Sequence, residues 1–232
     1  MTDMTNPRGA EVAEALRDFD SPTVSNAIER FKVRDPVTGY ASMELRCQFP
    51  DLNPMVGYAV TCRADTTSPG DSRLMRLDDL LDAVRDAPKP AIVVIEHVGK
   101  DRSRSCFVGD MFCTALQKLG VVGVVTDGGA RDGSGIRRRA PGFHLFSPGW
   151  VVSHGHGVFL DFGLPASICG LTIEAGDLLH GDASGLLTVP LEIVHSVRDA
   201  AESVLRDEGG FFDWANGDGF ACEELKRRIG RR

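Results

Sequence analysis

The stretch that decides the fold is AIVVIEHVGKDRSRSCFVGDMFCTALQKLGVVGVVTDGGARD, residues 91–132. It contains two continuous apolar runs, residues 91–98 and 121–126. Between them lies a segment with helical spacing that begins at Asp110 and is closed by Gly120. Continuous apolar runs are typical of strands covered on both faces, and glycine is a common residue just after a helix. The order strand, helix, strand predicts two parallel strands joined by a right-handed crossover.

Two loops of this unit are predicted to face one crevice, because both follow the carboxyl ends of neighbouring parallel strands. The helix start at Gly109 and Asp110 offers unpaired backbone N–H groups and the positive end of a helix dipole, which suits a carboxylate or phosphate. The second loop carries Arg131 and Asp132. The planar guanidinium of Arg131 can bind a substrate carboxylate. Asp132 is an oxygen ligand suited to Mg²⁺ or Mn²⁺, and Asp110 is a second carboxylate for proton transfer.

A plainer interpretation fits the same residues. Asp110 would then be an ordinary helix N-cap, because aspartate is common at that position. Arg131 and Asp132 would form a surface ion pair within a turn, which contributes little to stability. Spacing alone leaves both interpretations open.

The rest of the chain predicts helices near both ends and short strands in between. Predicted helices cover residues 11–19, 22–30, 74–87, 191–207 and 222–229, and further predicted strands cover residues 57–63, 143–146, 150–153, 157–162, 167–173, 178–180 and 186–189. Ser21 is expected to cap the second helix, with Pro22 in its first position. Residues 34–54 read as a connecting loop, and residues 127–135 are too rich in glycine for either strand or helix. Gly209–Gly210 are expected to end the long helix that precedes them.

Composition narrows the class of protein. The 232 residues carry a net charge of −7, which argues against nucleic-acid and membrane-surface partners because both require a basic surface. The N-terminal residues lack the basic and apolar regions of a signal peptide, and no apolar run reaches the ~20 residues of a membrane span. The six cysteines are scattered without a C-x-x-C pair, as expected for reduced thiols in a cytoplasmic protein.

The spacing of Gly109–Asp110, twenty residues, then Arg131–Asp132, with GVVTDGGA before the second pair, resembles the 4-hydroxy-4-methyl-2-oxoglutarate aldolase family. That family shares its fold with the regulator of RNase E activity A (RraA). Further similar segments are TVSNA at residues 23–27, VTC at 60–62, PGD at 69–71 and GDLLHGDASGLLTVP at 176–190. The resemblance covers most of residues 21–208.

The resemblance implies a single α/β domain of the swivelling β/β/α type, with a mixed sheet and flanking helices. Residues 1–20 would form an N-terminal helix or extension, residues 21–208 the domain, and residues 209–232 a helical tail. It also implies a homotrimer or homohexamer with active sites between subunits.

The resemblance further implies a lyase that cleaves a carbon–carbon bond of a small 2-oxo acid to give pyruvate through an enolate. The reaction would be aldol cleavage or decarboxylation of oxaloacetate, and the residues do not choose between them. Asp132 would be the direct protein ligand of Mg²⁺ (or Mn²⁺), and Asp110 would orient a metal-bound water as acid or base. The pyruvate carboxylate would be held by the side chain of Arg131 and by the backbone amides of Gly109, Asp110, Met111 and Phe112.

Some positions depart from the family's pattern. Asn26 stands where aspartate is usual, Ser72 where asparagine is usual, and Ser184 interrupts an acidic run. The family's aldolases also take an acidic residue from a neighbouring subunit, for which the candidates are Glu202, Asp207 and Glu208. These departures leave the physiological substrate open.

Two other functions are alternatives to the lyase. One is a non-catalytic, protein-binding regulator of a ribonuclease, which occurs on the same fold and would suit an acidic surface. Such a protein has no need of the intact Asp110, Arg131 and Asp132 set. The other is a methyltransferase, which is disfavoured because no G-x-G loop follows an early strand.

Overall fold

The computed structural model describes residues 9–69 and 76–229. Within these ranges the strands are β1 (Arg46–Cys47), β2 (Met55–Asp65), β3 (Ala91–His97), β4 (Cys106–Val108), β5 (Val121–Thr126), β6 (Gly129–Ala130), β7 (His144–Ser147), β8 (Val158–Phe162), β9 (Ala166–Ile168), β10 (Leu171–Ile173), β11 (Leu178–Asp182) and β12 (Gly185–Val189). The α-helices are α1 (Ala10–Glu14), α2 (Ser21–Glu29), α3 (Leu77–Asp86), α4 (Asp110–Lys118), α5 (Gly133–Arg139), α6 (Val194–Asn216) and α7 (Cys222–Ile229).

One mixed sheet organises the molecule. Its strand order is β1-β7-β5-β3-β2-β11-β12, and β8 pairs with β2 outside this path. The four central strands β7, β5, β3 and β2 are parallel, whereas the outer pairings are antiparallel. β3 and β5 are neighbours joined through α4, so the predicted parallel strand–helix–strand unit is confirmed. The predicted single mixed α/β domain with flanking helices is confirmed as well.

Strand β3 shows why its sequence is apolar throughout. Val93 and Ile95 pack into the core beneath α3, α4 and α5. Ile92 and Val94 pack on the opposite face, against the β9–β10 hairpin. A strand covered on both faces cannot alternate apolar and polar residues. Fully burying one such side chain contributes about 1.5–3 kcal/mol, so this strand anchors the domain.

The predicted cap of α2 is wrong by one residue. Asp20 is the N-cap, and its Oδ1 accepts the N–H of Thr23 at 2.8 Å. Ser21 lies inside the helix, with Pro22 second. The Ser21 hydroxyl hydrogen-bonds instead to Nδ1 of the buried His180 at 3.0 Å. Ser21 therefore joins α2 to β11, and the carboxylate one residue earlier caps the helix.

The glycine-rich stretch at residues 127–135 is more regular than predicted. It contains strand β6 and the start of α5. The predicted strand at residues 150–153 is a loop, attached through a single bridge between Ala130 and Trp150. The predicted strand at residues 167–173 is a hairpin of β9 and β10.

The helix boundaries also differ from prediction. α1 ends at Glu14, whereas the prediction extended this helix to residue 19. α3 begins at Leu77, whereas the prediction began this helix at residue 74. Residues 70–75, which include part of the PGD motif, Ser72 and the first two residues of the predicted helix, lie outside the described residues. α6 continues through Gly209–Gly210, so the predicted stop there is wrong. An interior glycine costs about 1 kcal/mol, and aromatic contacts such as Trp214 against Phe220 at 5.3 Å offset it. In the described part of the chain, no helix is long and apolar enough to cross a bilayer.

Candidate active site

A two-stranded parallel sheet, β4 with β6, brings the two predicted loops together. Cys106 pairs with Gly129 and Val108 with Ala130. The N–H of Arg131 then donates to the carbonyl of Val108 at 2.9 Å. The residues that follow each short strand must therefore lie side by side. The sequence predicted this proximity from β3 and β5, but β4 and β6 establish it directly.

The start of α4 is in contact with the second loop. Gly109 is the buried N-cap of α4, and a Cβ at this position would lie 3.0 Å from Oδ2 of Asp132 and 3.3 Å from Nε of Arg131. Glycine therefore leaves the space that the guanidinium and the carboxylate occupy beside the helix start. Asp110 is the first helical residue and not the N-cap, so the interpretation of Asp110 as a capping residue is wrong.

Asp132 adopts a backbone conformation that is unusual for a residue with a side chain. Its φ of 61° and ψ of 35° place it in the left-handed region, and its side chain makes no capping hydrogen bond to α5. Its Oδ2 lies 3.2 Å from Nε of Arg131, and its side chain is 39% exposed. Within the described residues no hydrogen bond reaches its other oxygen, Oδ1. Such a conformation costs about 1–3 kcal/mol, and strained residues of this kind cluster at functional sites.

Asp110 has a partner that the sequence did not reveal. Nη1 of Arg139, the last residue of α5, forms a charged hydrogen bond with Oδ2 of Asp110, whose side chain is 18% exposed. A Cβ on Gly135 would lie 2.5 Å from Oδ2 of Asp110 and 3.0 Å from Nη1 of Arg139. The pair therefore depends on glycine one turn before Arg139. The only signal in the sequence was the run of three arginines at 137–139.

The other two residues of the predicted helix start differ in their surroundings. The side chain of Met111 is 84% exposed. Phe112 packs against Phe107 and Phe159, with ring centroids 6.4 Å and 6.3 Å apart. These rings fix the first turn of α4, so its backbone N–H groups hold their direction while the surface around them stays open.

The carboxylates of this region are too few for a site built from protein ligands alone. The described residues contain no group of three or more His, Cys, Asp or Glu side chains placed to hold an ion. That excludes a zinc-type site with three or four protein ligands among these residues. A half-exposed carboxylate with a free oxygen, as in Asp132, fits Mg²⁺ or Mn²⁺, because Mg²⁺ keeps most of its waters and binds through one or two carboxylates.

A cleft of about 430 Å³ lies along the loop that leads into β6, and none of Asp110, Arg131, Asp132 and Arg139 lines it. Trp150 lines it, and a Cβ on Gly133 would lie 2.7 Å from the indole ring. Asp127, another lining residue, is buried, accepts the N–H of His97 at 2.7 Å and pairs with Arg102 at 3.4 Å. Burial raises the pKa of Asp127. Asp127 thus ties the end of β3 to the loop that leads into β6, a shaping role in keeping with the two glycines that follow it.

Known proteins are similar to this chain in sequence and in fold. A protein of Halalkalibacterium halodurans, provisionally named 4-hydroxy-4-methyl-2-oxoglutarate aldolase, is 30% identical over 131 residues, which is 56% of this chain and 60% of that one. The chain spans only 57% and 60% of the lengths of the two curated relatives it matches.

Two solved structures have the same fold. Streptomyces coelicolor RraAS2, described as an unusual member of the RNase ES inhibitor RraA protein family, has a TM-score of 0.66 at 21% identity and covers 86% of this chain and 94% of its own. An uncharacterised protein of Pseudomonas syringae pv. tomato has a TM-score of 0.69 at 23% identity, with 94% and 93% covered. At these identities the likeness concerns the fold alone.

The family model that matches residues 21–188 is described as RraA-like, Aldolase/RraA. It includes the segments around Asp110 and Arg131 that carried the resemblance. The family contains aldolases as well as non-catalytic regulators of RNase E, so membership alone does not select a function. Because the model covers most of the chain, this protein belongs to the RraA-like family.

Proposed function

We propose that this protein is a divalent-metal-dependent lyase that cleaves a carbon–carbon bond of a small 2-oxo acid and releases pyruvate. Its substrates would be of the 4-hydroxy-4-methyl-2-oxoglutarate or oxaloacetate type. The observation that carries the proposal is the contact of Arg131 and Asp132 with the start of α4 at Gly109. A guanidinium and two carboxylates around a helix N-terminus match the charges that such a reaction develops.

Binding of the substrate would begin at the carboxylate beside its 2-oxo group. The first-turn N–H groups of α4 have no acceptor within the helix and lie at the positive end of its dipole. Arg131 lies against the same helix start and is about one-third exposed, so its remaining N–H groups can reach a ligand. Together they would fix the 2-oxo acid with its reacting bond turned toward Asp110.

Asp132 would hold the cation through the oxygen that carries no hydrogen bond. A divalent ion at this position supplies a Lewis acid for the negative charge that develops on the 2-oxo group. Arg131 would stabilise the same charge by hydrogen bonding, and its contact with Oδ2 keeps the Asp132 carboxylate in place.

Asp110 would transfer the proton. In aldol cleavage it would accept the proton of the 4-hydroxyl group while the C3–C4 bond breaks and its electron pair forms the enolate of pyruvate. The same proton would then return to C3, which gives pyruvate. Loss of CO₂ from oxaloacetate leaves the same enolate, so one set of residues serves both reactions.

We also propose a cytoplasmic homotrimer or homohexamer with the site at a subunit boundary. The open surface around Met111 supports a boundary there, and six free thiols suit a reducing compartment. The candidate acids for a neighbouring site already have partners in their own chain. These are Arg30 for Asp207, Asn26 for Glu208, and Arg198 and Arg206 for Glu202. Light scattering of the purified protein would give the number of subunits.

The second candidate is a protein-binding regulator of a ribonuclease. The likeness of the fold to a member of the RNase ES inhibitor RraA protein family and the net charge of −7 favour it. Such a regulator would bind a ribonuclease and lower its rate without releasing pyruvate from any substrate.

The deciding experiment measures pyruvate release from oxaloacetate and from 4-hydroxy-4-methyl-2-oxoglutarate, with Mg²⁺ and with a chelator. Arg131→Ala and Asp132→Ala are assayed beside the unaltered protein. We expect metal-dependent turnover that both substitutions reduce at least about 100-fold, the usual loss for one group that stabilises a developing oxyanion. Turnover no higher than that of the metal ion alone, from a folded protein, would contradict the proposal and leave the regulator.

A further inference from the structure

We infer that Arg139 binds the second carboxylate of a 2-oxo dicarboxylic acid, and that Asp110 holds Arg139 ready for it. This inference rests on the proposed function and deepens it, because it names the residue that would distinguish those dicarboxylic substrates from monocarboxylates. It concerns a residue outside the Asp110, Arg131 and Asp132 set.

The position of Arg139 supports this role. It ends α5, its side chain is half exposed, and Nη1 bonds to Oδ2 of Asp110. Its other N–H groups make no hydrogen bond within the described residues. A guanidinium has five donors in a planar fork, so one carboxylate contact leaves donors for another. Arg139 is thus fixed at one end and available at the other.

Two guanidinium groups would flank a substrate bound at the start of α4. Arg131 lies against Gly109, and Arg139 is bonded to the next residue, Asp110. A 2-oxo acid whose first carboxylate is bound by Arg131 would extend past Asp110, the proton-transfer residue. A carboxylate at its far end would then lie within reach of Arg139, whereas a methyl group there would leave this guanidinium without a ligand.

The charges favour a dianion. The four side chains Asp110, Asp132, Arg131 and Arg139 sum to zero, and a divalent cation brings the total to +2. A dicarboxylate neutralises that total, but a monocarboxylate leaves one positive charge. The charge balance of the site therefore favours the dianion.

Neighbouring arginines are directed elsewhere. Arg137 forms a two-armed pair with Asp51 at 2.5 Å and 2.8 Å and stacks over Phe49 at 4.7 Å. Arg138 is exposed and makes no ion pair in the described part of the chain. Arg138 is therefore a matched control, because it has the same charge, the same helix and an adjacent position.

Substrate binding would also change the state of Asp110. When the second carboxylate takes up donors of Arg139, the bond from Arg139 to Oδ2 of Asp110 weakens. The carboxylate of Asp110 then becomes a better proton acceptor at the moment the substrate is in place. A dicarboxylate would thus raise kcat as well as lower KM.

The test uses two pairs of compounds that differ only in one end group. 4-Hydroxy-2-oxoglutarate and 4-hydroxy-2-oxopentanoate are cleavable, while 2-oxoglutarate and 2-oxopentanoate lack the hydroxyl group needed for aldol cleavage. In each pair a carboxylate replaces a methyl group. Pyruvate release is measured for the first pair, and dissociation constants by calorimetry for the second, with the Mg²⁺-loaded protein, Arg139→Gln and Arg138→Gln.

We expect the unaltered protein and Arg138→Gln to favour the dicarboxylate about 10-fold or more in kcat/KM and in affinity, as a hydrogen bond to a charged group allows. In Arg139→Gln both preferences should fall to about 2-fold or less, because the dicarboxylate loses its guanidinium partner. Equal preferences in Arg139→Gln and the unaltered protein, with both compounds cleaved, would overturn the role of Arg139 and leave the lyase standing. Cleavage of neither compound by the unaltered protein would overturn the proposed function, and the role of Arg139 with it.

Discussion

The central strand pair β3–β5 and the short pair β4–β6 are both parallel, yet they differ in length, in burial and in the residues that follow them. β3 and β5 are apolar, covered on both faces and fully paired in the main sheet. β4 and β6 have three and two residues and lead directly to the starts of α4 and α5, where Asp132 lies in the left-handed region. The first pair stabilises the fold. The second pair positions charged side chains, one of them in a strained conformation that lowers stability.

The largest effect is expected from Asp132→Gly, which tests this division directly. Glycine adopts a positive φ without strain, so the free energy of unfolding should rise by about 0.5–1 kcal/mol. Pyruvate release should fall at least about 1000-fold, because the proposed metal ligand is lost. Urea unfolding and the pyruvate assay measure the two quantities. A loss of stability together with activity would show that Asp132 is a structural residue of the turn.

The opposite response is expected from Ile92→Ala in β3. Ile92 is fully buried, and truncating an isoleucine in a core costs about 2–5 kcal/mol through lost burial and the cavity left behind. The substitution should leave kcat nearly unchanged at temperatures where the protein stays folded. The exposed Val152→Ala is the control and should change stability by less than about 0.5 kcal/mol. A large fall in kcat of folded Ile92→Ala would mean that the two regions are not separate.

A polar residue inside the main sheet should act on stability alone. His144 in β7 is buried, and its Nδ1 has no hydrogen-bond partner among residues 9–69 and 76–229. Burial and the nearby charge of Arg17 lower its pKa to about 4 from 6.5. The unfolded chain therefore binds the proton more readily. Its contribution to stability is fully present above pH 6.5 and is lost as the pH falls to about 4, by about 3 kcal/mol.

His144→Leu should therefore remove a large part of the fall in unfolding free energy between pH 7 and pH 4.5, as measured by urea unfolding at each pH. A remainder is expected, because burial also lowers the pKa of His180. Val152→Ala, the exposed control used for Ile92, should leave the slope unchanged. An unchanged slope in His144→Leu would show that another group carries the acid sensitivity.

The two regions also differ in how far the sequence predicted them. β3, α4 and β5 were predicted within a residue or so, because long apolar runs and Gly120 leave few alternatives. β4, β6 and α5 were missed, because two or three residues beside glycines carry no periodicity. Their pairing is set by contacts between distant segments. Asp110, Arg131 and Asp132 were proposed as site residues because a sequence motif contains them. No motif contains Arg139, and its proximity to Asp110 follows only from the packing of α5 against α4.

The smallest effect, and the finest test of the comparison, is expected from Gly135→Ala. In a helix alanine is favoured over glycine by about 1 kcal/mol, so a purely structural site would become more stable. The added Cβ would lie 2.5 Å from Oδ2 of Asp110 and would displace its bond to Arg139. We therefore expect stability to change by less than about 1 kcal/mol while kcat/KM for a dicarboxylate falls about 10-fold, the loss of one charged hydrogen bond.

Ser134→Ala, on the exposed side of the same turn, should leave kcat/KM unchanged. If Gly135→Ala were fully active and about 1 kcal/mol more stable, this glycine would be a feature of the helix alone, and the pair of Asp110 and Arg139 would have no part in the reaction.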